Sequence, residues 1–128
     1  MRKAVCLAAL CTLTLSACAA QGPRDEAEAA AGRFLDAVAR SDTRTACALL
    51  TPRTREDLTT SEGQPCRQSL PTDGLGGRVE GADTWSDQAV VHTEDGTLFL
   101  TEFDTGWLVA AAGCQPDGDA PYRCVVGG

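Results

Sequence analysis

The chain has one histidine, one tyrosine and one methionine in 128 residues, and aromatic residues make up only 5%. With His92 alone, no pair of histidines can hold a metal or relay a proton. No Cys-x-x-Cys pair is present, which argues against a zinc site and against a thioredoxin-type redox role. A phosphate-cradling glycine loop, a Gly-x-Ser-x-Gly elbow and a His-Glu-x-x-His helix are all missing. Asp117-Gly118-Asp119 has calcium-ligand composition, but without the rest of an EF-hand loop it reads as a plain turn. No metal and no cofactor is therefore expected. Long apolar runs are lacking too, except for one short stretch at the N-terminus.

That stretch has three parts. Arg2 and Lys3 are positive, residues 4–15 carry no charge, and Ser16 and Ala17 are small. This is the layout of an export signal, and it is too short for a spanning helix, which needs roughly 20 apolar residues. Leu15-Ser16-Ala17-Cys18 resembles the lipobox of bacterial lipoproteins. The resemblance implies cleavage after residue 17 and a diacylglyceryl group on Cys18. Residues 1–17 are then the signal, 18–24 a lipidated tether and 25–128 a single domain. Two acyl chains hold a protein on a bilayer where one binds only marginally. The expected location is the extracytoplasmic side of the cell membrane, reached through the lipid on Cys18.

Loss of Arg2 and Lys3 with the signal leaves nine basic residues against 18 acidic ones, and the formal charge goes from −7 to −9. Phosphate recognition needs clustered Lys and Arg, so nucleic acid is not an expected partner. An anionic membrane surface also repels such a domain, and the lipid must hold it there. Cys6 and Cys11 leave with the signal, and Cys18 is acylated. Cys47, Cys66, Cys114 and Cys124 remain, an even number in an exported chain. Four cysteines allow three pairings. Proximity in sequence favours Cys47–Cys66 and Cys114–Cys124.

Residues 25–40 have the clearest helical pattern. Ala27, Ala30, Ala31, Phe34, Leu35 and Val38 recur at the spacing of one helix face, and packing on the domain's own core is their expected role. Residues 41–50 suggest a shorter helix. Thr51-Pro52 suggests a third, with Thr as N-cap and Pro at N1, running to about Leu58. Cys66 to Leu70 suggests one more turn. Beyond the turn-rich residues 71–77, five strands are expected: 79–85, 88–93, 97–103, 107–112 and 122–126. Asp95-Gly96 signals a hairpin, and Thr105-Gly106 a second. Residues 115–123 read as a loop clipped by the second disulfide. Phe99 and Phe103 share one strand face, Leu98 and Leu100 the other. A sheet curled over the helices and partly covered on its other side would explain both.

Helices followed by a meander of strands is an α+β order, with four to five antiparallel strands expected. At this length the pattern resembles the NTF2-like (cystatin-like) cone. Ala46-Cys47-Ala48-Leu49-Leu50, Gly106-Trp107, Ala112-Gly113-Cys114 and Tyr122-Arg123-Cys124 resemble small lipoproteins of high-GC Gram-positive bacteria. The resemblance covers most of residues 25–128 and implies an NTF2-like domain on a lipid anchor, but no activity.

Candidate chemistry is sparse. His92 lies on a strand whose opposite face carries Ala89 and Val91. Asp83, Glu94, Asp95, Glu102 and Asp104 fall in or near strands and hairpins, and none is spaced as an acid/base couple. Tyr122 sits beside Cys124. Trp85 and Trp107 are expected in the core. No catalytic residue is assigned. The expected function is a non-enzymatic binding domain for a protein or a small apolar ligand. A ketosteroid-isomerase-like enzyme with a carboxylate base in the cone is one alternative. A structural envelope protein working as an oligomer is another.

Overall fold

A computed structural model describes residues 22–128 of the chain. The expected signal, Cys18 and the tether up to Gln21 lie outside the described residues. Helix α1 (Pro23–Ala39) starts two residues before the expected start at residue 25. Pro23 explains the difference: at N1 its missing N–H is no loss and its fixed φ already suits a helix. Asp25 and Glu26 sit in the first turn, where the helix dipole favours negative charge. All six apolar residues of the expected stripe are buried, and Ala37 with them.

Helix α2 (Thr43–Ala48) is capped by Asp42, whose carboxylate accepts from the Thr45 N–H at 3.2 Å. Helix α3 (Pro52–Glu62) starts as expected, with Thr51 as N-cap and Pro52 at N1, and runs four residues past Leu58. Helix α4 (Cys66–Ser69) is a single turn. A disulfide joins Cys47 of α2 to Cys66 of α4.

Five strands follow: β1 (Val79–Trp85), β2 (Gln88–Thr93), β3 (Gly96–Phe103), β4 (Gly106–Asp117) and β5 (Ala120–Arg123). They form one open sheet in the order of the chain, every neighbour antiparallel. The fold is thus α+β. Val91 lies opposite Ala82 and Leu98, and Leu100 opposite Ala89 and Val109. Paired residues share a face. This face is buried and packs with Phe34, Leu35 and Val38 of α1 in one core. On the outer face, Phe99 meets the ring of Tyr122 edge-on, with centroids 5.1 Å apart.

Four expectations need correction. Strand β4 does not end at Ala112. Gly113 has φ +64° and lies where β4 carries one residue more than β3, so the strand bulges and continues to Asp117. Residues 115–123 are accordingly a hairpin rather than a loop, with Gln115 opposite Arg123 and Asp117 opposite Ala120. The last strand therefore covers 120–123 instead of 122–126, and Val126 makes only an isolated bridge to Ala112. The second disulfide, Cys114–Cys124, closes this hairpin. Finally, Trp107 is buried but Trp85, at the end of β1, is 54% exposed.

Both edges of β4 are occupied. Beside β3 on one edge, the other takes Leu50 in a parallel bridge at Val109, then Val126, then β5. Thr51 N–H donates to the Val109 carbonyl at 2.9 Å, and Val109 N–H to the Leu49 carbonyl at 2.8 Å. Among the described residues, no helix is long and apolar enough to cross a membrane.

Candidate functional site

The join between α3 and β4 shapes the site. Thr51 and Thr54 are both buried. The Thr54 hydroxyl donates to the Ala110 carbonyl at 2.8 Å. Its only proton is then spent, so in the 2.8 Å contact between the two hydroxyls Thr51 is the donor. The Thr51 oxygen in turn accepts the Thr54 N–H at 3.2 Å. Each hydroxyl donates once and accepts, and neither contacts a carboxylate or histidine that could activate it as a nucleophile.

A groove of about 510 Å³ opens where this latch meets the outer face of the sheet. Its walls are the first turn of α3, then Thr101 and Phe103 of β3, Ala110 of β4, and Gly127-Gly128. Phe103 is 41% exposed, unusual for a phenylalanine in so small a domain. Gly127 has φ +73°, and a β-carbon there would collide with the Ala110 carbonyl. Only glycine lets the chain lie this close to β4 and line the groove. Arg53 and Asp57 stand at the groove in an i,i+4 pair at 4.0 Å, and both are largely exposed.

The candidate polar residues lie elsewhere. His92 and Asp83 come together, with Nε2 3.4 Å from Oδ2. Asp83 also receives Arg24 at 3.3 Å. All three side chains are exposed, so this is a surface polar cluster where α1 meets β1 and β2 rather than an enclosed acid/base couple. Glu94 pairs with Arg78 at 3.0 Å. The Asp95 carbonyl accepts from the Gln115 side chain, which fastens the β2–β3 turn. Glu102 and Asp104 are exposed at the β3–β4 turn. Asp117 pairs with Arg123 at 2.9 Å across the last hairpin. Among the described residues, no three His, Cys, Asp or Glu side chains converge as metal ligands do. Tyr122 covers Phe99 rather than a pocket.

Sequence reasoning missed the groove. Its walls come from residues 51–57, 101–110 and 127–128, and no local pattern links them. The one available signal was Thr51 and Thr54 three apart on either side of a helix start.

Asp42 is the described carboxyl with a clear shift in acidity. The hydrogen bonds from Thr45, through side chain and backbone, hold it below its ordinary 3.8. It serves helix α2 and lies outside the groove.

Compared with known proteins, the chain matches no protein-family model, no curated protein and no solved structure.

Proposed function

We propose that this chain is a lipid-anchored, extracytoplasmic, non-enzymatic binding domain that holds a small apolar ligand in the groove beside Phe103. The anchor in this reading is the lipid on Cys18, and the helices before a meandering sheet are taken as an NTF2-like arrangement. The exposed ring of Phe103 in a groove whose threonine hydroxyls are already engaged, Thr51 and Thr54 with each other and with Ala110, and Thr101 with Gln88, carries the proposal. Apart from the Arg53–Asp57 pair, such walls offer apolar contact, which is the chemistry of binding an apolar body.

The isomerase-like alternative needs a carboxylate enclosed in the cone. The helix-facing side of the sheet is filled by Val91, Leu98, Leu100 and Val109. The acid at the groove, Asp57, has a side chain 70% exposed. Both observations favour binding.

A neutral solvatochromic dye such as Nile red tests the proposal. Its emission should rise and shift to the blue with the wild-type domain, and Phe103→Asp should abolish the effect without changing the melting temperature. Equal dye binding by both proteins would sink the proposed site.

A further inference from the structure

Trp85 is the most exposed of the large apolar side chains in the described residues, at 54%. It follows Ala82 and Asp83 on β1, and these two residues fix the start of α1. The Arg24 Nε donates to the Ala82 carbonyl at 2.5 Å, and its Nη2 lies 3.3 Å from Asp83 Oδ1. The point where the chain enters the domain is thereby fastened two to three residues from Trp85. Only four residue steps separate Cys18 from Gly22, at most about 14 Å of chain.

We infer that Trp85 sits in the interfacial layer of the bilayer beside the lipid anchor and turns the outer sheet face toward the membrane. The inference rests on the proposed lipidation of Cys18. Tryptophan suits that layer, because its ring is apolar while its N–H seeks a polar partner. Asp83 on the same face is paired with Arg24, and Asp87 in the turn beside Trp85 accepts from the Gln88 side-chain amide at 3.3 Å. In the register, Trp85 stands opposite Gln88, and Gln88 opposite Thr101 of the groove. Thr101 is thus two strand spacings, about 10 Å, from Trp85 on the same face. A groove so placed can draw an apolar ligand from the lipid.

The test uses the full-length acylated protein in vesicles of phosphatidylcholine and phosphatidylglycerol carrying shallow brominated lipid. The intact mass of the same sample reports the acyl chains. Trp107 is buried and serves as an internal reference. The expected result is an acylated mass with tryptophan emission quenched by the brominated lipid, the quenched component disappearing in Trp85→Phe. Acylated protein without quenching would overturn the placement of Trp85 and leave the anchor standing. A mass without acyl chains would overturn the anchor and this inference together.

Discussion

The hydroxyl of Thr54 donates to the carbonyl of Ala110 at 2.8 Å, joining residues 56 positions apart. That bond holds the first turn of α3 against β4 and gives the groove its wall. Thr54→Val keeps the shape of the side chain but leaves the Ala110 carbonyl and the Thr51 hydroxyl without their partner. A cost of about 2 kcal/mol is expected, the penalty for stranding buried polar groups. Urea denaturation measures it, and Nile red binding should weaken in parallel. A variant as stable as wild type would show that the latch contributes nothing.

The two disulfides should differ in weight. Cys47–Cys66 spans 19 positions and Cys114–Cys124 spans 10. In the chain-entropy model each contributes about 3 kcal/mol, and the longer loop exceeds the shorter by about 0.5 kcal/mol. Paired Cys→Ser variants, compared by chemical denaturation, should fall in that order.

Asp42 predicts an acid-sensitive step. Its acidity is raised by the hydrogen bonds from Thr45, so its folded pKa lies below its unfolded one. Its contribution is complete above the ordinary carboxylate pKa, 3.8, and is lost as pH falls through the depressed value. Asp42→Asn keeps a capping oxygen that does not titrate. Melting temperatures measured from pH 6 to pH 2 should therefore fall less steeply for this variant than for wild type.

The core offers a paired comparison. Phe34 is fully buried between α1 and the sheet, and Phe34→Ala should cost about 3–5 kcal/mol. Trp107 is also buried, but its indole N–H has no hydrogen-bond partner. Trp107→Phe removes that stranded donor along with some packing, and the two effects oppose. Its cost should stay near 1 kcal/mol, well below that of Trp107→Ala, and denaturation midpoints would separate the three variants.

Much of the fold was legible because its signals are local. The apolar stripe from Ala27 to Val38 predicted the buried face of α1, and Thr51-Pro52 predicted the start of α3. The expected strands 79–85 and 88–93 coincide with β1 and β2. What escaped depends on contacts distant in sequence. The expected strand 107–112 stops short of Gly113, because nothing local shows that β4 will bulge there against β3 and continue. Trp85 looked like a core residue because composition does not reveal that β1 ends at the sheet's rim. The groove is the extreme case, assembled from three separate segments around a single exposed phenylalanine.

Amide chemical-shift mapping of the folded domain tests binding in the groove most directly. A set of small neutral apolar compounds would be titrated in while the backbone amides are followed. The account predicts shifts concentrated at Thr51, Thr101, Phe103 and Ala110, saturable and absent in Phe103→Asp. Shifts gathered at another surface, or none at millimolar concentration, would contradict it.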